Sequence, residues 1–287
     1  MKSQNEKFKE IVAELNEIEG RQYNYFHSET KVAPSRKAII SIIKDMQSLM
    51  FPNYFNVEDN VAKSREQLLE DIFSKLKRQI TAAFGFCADC PSNSPESEAL
   101  AYEIISLIPK IKEALIKDVQ AIYEGDPAAR VPEEVILSYP GFYAISIYRI
   151  AHEFYIRKIP YIARLMTEFA HEKTGIDIHA GATIGEYFFI DHGTGIVIGE
   201  TTTIGDRVRI YQGVTLGAKS FELDEDGNPV KGTKRHPDIG NGCIIYANAT
   251  ILGGDTKIGD GAIIGANVWL TESVEAGKTV YYTANKK

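Results

Sequence analysis

The chain has 287 residues, which is enough for one large domain or two modest ones. Hydrophobic residues make up 44% and charged residues 25%, a globular composition that excludes a disordered chain. The formal net charge of −7 argues against a general nucleic-acid binder, and no apolar run approaches the roughly 20 residues of a membrane helix. With three cysteines and no apolar leader at its start, we expect a cytoplasmic protein.

Apolar residues recur at helical spacing from the start of the chain to about residue 174. The clearest pattern is one aliphatic stripe, which predicts a single continuous helix capped by Ser94: Ile104, Ile108, Ile111, Leu115, Val119 and Ile122. Weaker patterns predict helices over the ranges 4–19, 35–50 and 62–84, and a further helix starts after Pro140–Gly141 and runs to Arg157. We therefore expect residues 1–174 to form a helical N-terminal domain.

Beyond Gly175, aliphatic residues return at a fixed interval of six. Four series follow this interval: Ile178, Ile184, Ile190, Ile196; Ile198, Ile204, Ile210, Leu216; Ile239, Ile245, Ile251; and Ile258, Ile264, Leu270. A six-residue repeat predicts a β-solenoid, in which each aliphatic side chain points inward and stacks on its equivalents in neighbouring coils. We expect residues 175–287 to form this coil, with the turn-rich insert 218–235 projecting as a hairpin or loop.

Two histidines lie where the repeat is interrupted. His192 follows Asp191 in IDHGTG, and Asp177 lies fifteen residues earlier, just short of one turn of three hexads. This spacing allows Asp177 to accept a hydrogen bond from the imidazole and fix its tautomer, although both are equally compatible with polar corner residues. His236 follows Arg235 where the insert rejoins the repeat, which suits carboxylate recognition or, alternatively, a solvated basic turn.

Cys87 and Cys90 form a C-x-x-C pattern, which invites a metal or redox interpretation. Tetrahedral zinc needs four ligands, and no second pair is found at a suitable spacing. The acidic stretch DEDGN in the insert lacks the residue that closes a calcium loop. We expect no metal site.

The segments DIHAGATIG, IDHGTGIVIGET, GVTLGAK and KRHPDIG, with the C-terminal hexads, resemble the serine O-acetyltransferase family over roughly residues 120–272. The resemblance implies an α+β chain of two parts, an all-α N-terminal domain followed by a left-handed parallel β-helix. It also implies transfer of acetyl from acetyl-CoA, the co-substrate, to the L-serine hydroxyl, which gives O-acetylserine for cysteine biosynthesis. No metal takes part in that reaction.

The resemblance further implies a role for each residue that matches the family's motifs. Three of them carry the chemistry, as general base, its orienting carboxylate and a second catalytic histidine: His192, Asp177 and His236. Three others contact the amino and carboxylate groups of serine: Asp126, Asp191 and Arg235. Four small residues line the acetyl-CoA channel: Gly217, Ala218, Ala247 and Ala266.

The family's sites lie between adjacent subunits, so the resemblance implies a homotrimer, or a dimer of trimers paired through the helical domain. The common bacterial form continues past the solenoid with a tail that docks in cysteine synthase, whereas this chain stops at VYYTANKK. We therefore expect no stable complex with cysteine synthase, and feedback inhibition by cysteine is left open.

Three alternatives remain from the sequence alone. The first is another hexapeptide acetyltransferase, acting on homoserine, a sugar or a xenobiotic; Asp126 and Arg235 favour an α-amino acid acceptor instead. The second is a hexapeptide carbonic anhydrase, which needs three metal-binding histidines, and only His171 and His179 have a suitable spacing. The third is a trimeric scaffold without catalysis.

Overall fold

The computed structural model describes residues 3–20, 32–55, 63–87, 90 and 96–282. Its helices are α1 (Gln4–Gly20), α2 (Arg36–Met50), α3 (Arg65–Phe86), α4 (Ser97–Ser106), α5 (Ile108–Gly125), α6 (Pro132–Ser138), α7 (Pro140–Ile156) and α8 (Ile162–Thr174). Its strands are β1 (Asp177–Ile178), β2 (Thr183–Ile184), β3 (Phe189–Asp191), β4 (Val197–Ile198), β5 (Thr203–Ile204), β6 (Arg209–Tyr211), β7 (Thr215–Gly217), β8 (Asp238–Ile239), β9 (Ile244–Ile245), β10 (Thr250–Leu252), β11 (Lys257–Ile258), β12 (Ile263–Ile264), β13 (Trp269–Leu270) and β14 (Thr279–Val280).

Most of the predicted helices are confirmed to within a few residues, but the single helix across 104–122 is wrong. Helix α4 ends before Leu107 and α5 begins after it, because Pro109 stands in the first turn of α5, where its missing N–H is tolerated. The aliphatic stripe nevertheless stays buried along α5. The predicted cap, Ser94, lies outside the described residues.

The strands form a coil of about five turns with three parallel sheets. Sheet A contains β1, β4, β7, β10 and β13, sheet B contains β2, β5, β8 and β11, and sheet C contains β3, β6, β9, β12 and β14. Equivalent aliphatic residues pair across coils, as Ile178 does with Ile198 and Ile190 does with Ile210. All four side chains are buried, so the predicted β-solenoid and its inward stacking are confirmed.

Two edges of the coil carry the candidate functional residues. The A–B edge consists of the turns that join sheet A to sheet B, at 179–182, 199–202, 218–237 and 253–256. The C–A edge consists of the turns that join sheet C to the next strand of sheet A, at 192–196, 212–214, 246–249 and 265–268. The insert leaves the A–B edge as a short antiparallel hairpin, in which Leu223 bridges Pro229 and the Val230 N–H donates to Glu222 O at 2.8 Å.

A buried ion pair joins the helices to the coil. Asp118 on α5 and Arg149 on α7 bind each other, and Arg149 also donates to Gly185 O at 2.8 Å. The Phe188 N–H donates to Asp118 at 3.0 Å, so the first coil is bonded to both helices. Breaking such a pair leaves an uncompensated buried charge, which costs about 3–5 kcal/mol. This joint holds the middle of α5 against the residue that precedes β3.

The cysteines take two different states. Cys87 and Cys90 are joined by a disulfide, so the two sulfurs of the C-x-x-C pattern are bonded to each other. Cys243 is a buried thiol inside the coil and donates to Gly259 O at 3.2 Å. None of the helices in the described ranges is both long and apolar enough to cross a lipid bilayer.

Candidate active site

His192 occupies an outward turn of the C–A edge. Strand β3 ends at Asp191, and His192 follows with φ +57°, in the left-handed region. Gly193 has φ +86°, and a Cβ there would lie 2.5 Å from Ile176 Cδ1, so the turn needs glycine at that position. The His192 side chain is 71% exposed, with Nδ1 3.6 Å from Asp191 Oδ1. The imidazole is thus presented to solvent beside a carboxylate.

A second carboxylate reaches the same edge from the helices. Gly125 ends α5 directly against the Phe189 ring, since a Cβ at Gly125 would lie 2.7 Å from a ring carbon. Asp126 follows, accepting from the Tyr139 hydroxyl at 2.6 Å and from the Ala128 N–H at 2.8 Å. Both carboxylate oxygens are therefore held in place.

The pKa of Tyr139 reflects the acidic groups around it. The hydrogen bond to Asp126, then burial, then the negative charges of Asp126, Glu134 and Asp191 raise the pKa of Tyr139 to about 12. Asp126 and Asp191 therefore lie close enough to act on one phenol. Two carboxylates around one position favour a cationic group such as an ammonium ion.

Asp177 stands apart from His192 in this structure. Asp177 lies on β1 in sheet A and pairs with Val197, whereas His192 lies in the turn that precedes Val197. Both residues are among those described, and no hydrogen bond or ion pair joins them. The orienting role of Asp177 stays a prediction.

His236 lies on the A–B edge and is 7% exposed. Its ring packs on the backbone of Gly199, where an added Cβ would lie 2.0 Å from His236 Cδ2. Its Nδ1 lies 3.1 Å from the Thr201 backbone nitrogen and 2.9 Å from Thr201 Oγ1. Burial and then the positive charge of Arg235 lower the pKa of His236 to about 4, so the ring is neutral at pH 7.

Arg235 is held beside His236 by an acidic partner. Its guanidinium forms an ion pair with Glu200, and Glu200 also accepts from the Tyr155 hydroxyl at 2.6 Å. Burial raises the pKa of Glu200, but the bonds from Tyr155 and Arg235 outweigh it and lower the pKa overall. A cavity of about 800 Å³ lies between this edge and the hairpin, with Glu200 and Arg235 among its lining residues. The A–B edge therefore places a guanidinium, paired with Glu200, at the wall of a cavity.

The predicted acetyl-CoA residues divide between the same two edges. Gly217 and Ala218 lie where β7 meets the A–B edge. Ala247 and Ala266 lie on neighbouring turns of the C–A edge, where the Asn267 N–H donates to Ala247 O at 2.9 Å. One chain therefore places half of the predicted channel on each edge, as it does with the two histidines.

Several residues that shape these edges have no predicted role. Glu200 and Thr201 lie within the motif GIVIGET, but nothing in their spacing points to His236, 35 residues away from Thr201. Tyr139 and Tyr155 lie within the stretch that resembles the family, but nothing in their spacing points to Asp126 or Glu200. Among the described residues, no three His, Cys, Asp or Glu side chains are grouped as a metal site requires.

The chain matches known proteins along most of its length. Residues 88–146 match a family model described as serine acetyltransferase, N-terminal. A relative from Synechococcus elongatus, named serine acetyltransferase, plasmid, is 44% identical over 260 residues, which cover 86% of this chain and 81% of that protein. The chain belongs to the serine acetyltransferase family. It is accordingly an acyltransferase.

Solved structures of the family share this architecture. Serine acetyltransferase 1 from Entamoeba histolytica, crystallised with L-cysteine, is 36% identical with a TM-score of 0.72, over 95% of this chain and 97% of that one. A serine acetyltransferase in complex with CoA is 26% identical with a TM-score of 0.57, over 86% of this chain and 96% of that one. The expected fold, helices followed by a parallel β-helix, is confirmed by these likenesses.

Proposed function

We infer that the chain transfers the acetyl group of acetyl-CoA to the hydroxyl of L-serine, at a site completed by two neighbouring chains. The observation that carries this proposal is the division of the functional groups between two edges. The C–A edge holds an exposed imidazole with two carboxylates, and the A–B edge holds a neutral, buried imidazole with an arginine. The A–B edge of one chain completes the site when it faces the C–A edge of another.

The amino acid is held by charge at both ends. Asp126 and Asp191 bind its ammonium group, and Arg235 binds its carboxylate, for which a planar guanidinium is well shaped. This orientation leaves the side-chain hydroxyl directed at His192. An acceptor without the amino group loses its attraction to the acidic edge. The same charges also fit L-homoserine, whose hydroxyl is one methylene further away, and that amino acid is the second candidate.

Transfer proceeds by direct attack. The exposed His192 takes the proton of the serine hydroxyl as its oxygen bonds to the thioester carbon, with Asp177 as the proposed orienting carboxylate. The tetrahedral oxyanion accepts a hydrogen bond from His236, which is neutral at pH 7 and so has one N–H to donate. The carbon–sulfur bond then breaks, and the imidazolium of His192 returns its proton to the leaving thiolate. The products are O-acetylserine and CoA.

The acetyl-CoA chain lies between the two edges in this proposal. Gly217 and Ala218 of one chain and Ala247 and Ala266 of the neighbour line it, because small side chains leave room for the pantetheine arm. We also propose that residues 1–174 act as a helical domain and residues 175–287 as the acyltransferase domain. The insert 218–235 then serves as the outer wall of the site. A homotrimer closes three such sites into a ring, and two trimers joined through their helical domains form a hexamer.

Subunit mixing tests the shared site. His192→Ala and His236→Ala are each expected to be nearly inactive, but equal amounts unfolded and refolded together regain activity. Random reassembly gives about a quarter of the interfaces both intact histidines, so about a quarter of wild-type turnover with L-serine is expected. Mixing without unfolding is the control. No recovery from the refolded mixture, when wild type refolds fully, contradicts a site shared between chains.

A comparison of acceptors tests the substrate. CoA release is measured with L-serine, L-homoserine and 3-hydroxypropionate, which lacks the amino group. We expect L-serine to give the highest kcat/KM and 3-hydroxypropionate the lowest. A higher kcat/KM for L-homoserine would show that homoserine, not serine, is the acceptor, and the proposed reaction would be unchanged.

A further inference from the structure

Thr201 contacts His236 through its side chain, from the turn 199–202 of the A–B edge. Thr201 Oγ1 accepts hydrogen bonds from the backbone N–H groups of Arg235 at 3.0 Å and His236 at 3.1 Å. These two bonds occupy both lone pairs of the hydroxyl oxygen. The hydroxyl proton is left for the neighbour at 2.9 Å, which is His236 Nδ1. The threonine therefore donates to the ring.

A second donor reaches the same ring nitrogen. The backbone N–H of Thr201 lies 3.1 Å from His236 Nδ1, and a backbone N–H cannot accept a hydrogen bond. Nδ1 is consequently an unprotonated acceptor of two bonds. A neutral imidazole has one N–H, so the proton of His236 resides on Nε2.

The packing of the His236 ring prevents the imidazole from flipping. Gly199 lies against the Cδ2 and Nε2 atoms of the imidazole, where an added Cβ would come within 2.1 Å of Nε2. With the ring buried against Gly199 and bonded at Nδ1, its Nε2–H points in one direction only.

We propose that Thr201 is a positioning residue for acetyl transfer, which fixes His236 as an Nε2–H donor by holding Nδ1 as an acceptor. The proposal rests on the proposed function, because it assigns that N–H to the tetrahedral oxyanion. It also assigns different roles to the two histidines. Because Nε2 of His236 already carries a proton, it cannot accept one from the substrate, and His192 alone acts as the base. The hydroxyl additionally ties the end of the insert, at Arg235 and His236, to the second coil.

The tautomer is measured directly on the wild-type enzyme. With ¹⁵N-labelled histidine near pH 7, the His236 nitrogens are assigned by their loss in His236→Gln. We expect a protonated shift for Nε2, with a one-bond coupling to hydrogen, and an unprotonated shift for Nδ1. The opposite pattern, a proton on Nδ1, overturns the proposal without a variant of Thr201.

The kinetic test uses Thr201→Val, which keeps the shape and removes the hydroxyl, and Thr201→Ser, which restores it. We expect Thr201→Val to lower kcat about tenfold, less than the complete loss of an oxyanion donor because the backbone N–H still binds Nδ1. The KM values for serine and acetyl-CoA are expected to stay unchanged. Thr201→Ser should recover most of kcat. The matched control is Thr203→Val, an exposed threonine on the next strand.

The outcomes separate this proposal from the proposed function. Wild-type kcat in a folded Thr201→Val, or an equal fall in Thr201→Ser, overturns the positioning role while His192→Ala still reports on the base. If Thr201→Val does not fold, judged by thermal unfolding, the tautomer measured in the wild type decides. High activity in His192→Ala would instead contradict the proposed function itself.

Discussion

The two histidine turns differ in nearly every physical respect. On the C–A edge, the His192 side chain is 71% exposed and has carboxylates for neighbours. On the A–B edge, His236 is 7% exposed and lies beside Arg235, and burial and then that charge lower its pKa to about 4. An imidazole in the first setting can exchange its proton with a substrate, and one in the second is held neutral as a donor. The same residue type is thus suited to two different tasks.

The difference originates in the backbone. His192 lies in a left-handed turn between β3 and β4, so its side chain is directed away from the packed coil. His236 lies at the end of an insert that returns to the coil, where Thr201 and Gly199 enclose the ring. The length and path of the chain between strands decide the role of each imidazole.

Replacing each histidine by glutamine gives the largest expected effect and tests the contrast between base and donor most directly. Glutamine keeps an N–H donor near the position of Nε2 but has no basic nitrogen. His192→Gln should lose about 10²–10⁴-fold in kcat, the usual contribution of a general base. His236→Gln should lose less than tenfold, whereas His236→Ala should lose about 10²–10³-fold as an oxyanion donor disappears. Steady-state CoA release with L-serine measures all three.

The acetyl-CoA KM is the control, since neither substitution alters the channel residues. If His192→Gln keeps more than about a tenth of kcat, the loss is smaller than the roughly 10²-fold that a general base contributes at the least. The role assigned to His192 is then wrong. If His236→Gln falls as far as His236→Ala, the contrast between base and donor fails.

The sequence predicts the coil much better than it predicts the site. Inward residues such as Ile178 and Ile198 repeat because each must stack on its equivalent, and that periodicity is visible in one chain. The predicted proximity of Asp177 and His192 depends on three hexads per turn. The first coil is longer, since Asp177 pairs with Val197, and the added residues form the outward turn that carries His192. A count of hexads does not detect such a turn.

The contacts of His236 depend on how the insert folds back onto the coil. Thr201 and His236 are 35 residues apart, and the path of the insert between them decides whether they meet. Likewise, Tyr139 contacts Asp126 only because α6 and α7 fold back over the end of α5. Residue types and spacing predict which side chains carry the chemistry. They do not predict the partners that hold those side chains in place.

A smaller effect is expected from Tyr139→Phe, which tests the role of the carboxylates at the C–A edge. The substitution removes the hydroxyl that donates to Asp126 at 2.6 Å and leaves the aromatic ring in place. A hydrogen bond to a charged group contributes about 1.5–3 kcal/mol, and part of it is replaced by water at this edge. We expect the KM for L-serine to rise several-fold, with kcat and the acetyl-CoA KM unchanged.

The matched control for Tyr139→Phe is Tyr102→Phe, which removes a hydroxyl from an exposed residue on α4. The KM for 3-hydroxypropionate should not respond to Tyr139→Phe, because that acceptor has no ammonium group for Asp126 to bind. A fall in kcat with an unchanged KM would show that Tyr139 acts on the reaction rather than on substrate binding.

The smallest effect concerns stability in acid and tests whether His236 at the A–B edge stays neutral in the folded chain. Burial and then Arg235 lower the pKa of His236 from its ordinary 6.5 to about 4 in the folded chain. Between these values the unfolded chain binds a proton that the folded chain does not, so stability falls as pH drops from about 6.5 toward 4. A protonated ring would also set an N–H at Nδ1 against the N–H of Thr201. Comparing thermal midpoints at pH 7 and pH 5, we expect a smaller loss in His236→Gln than in wild type. His179, whose pKa burial also lowers, is present in both proteins. Equal losses would mean that His236 accepts a proton as readily folded as unfolded.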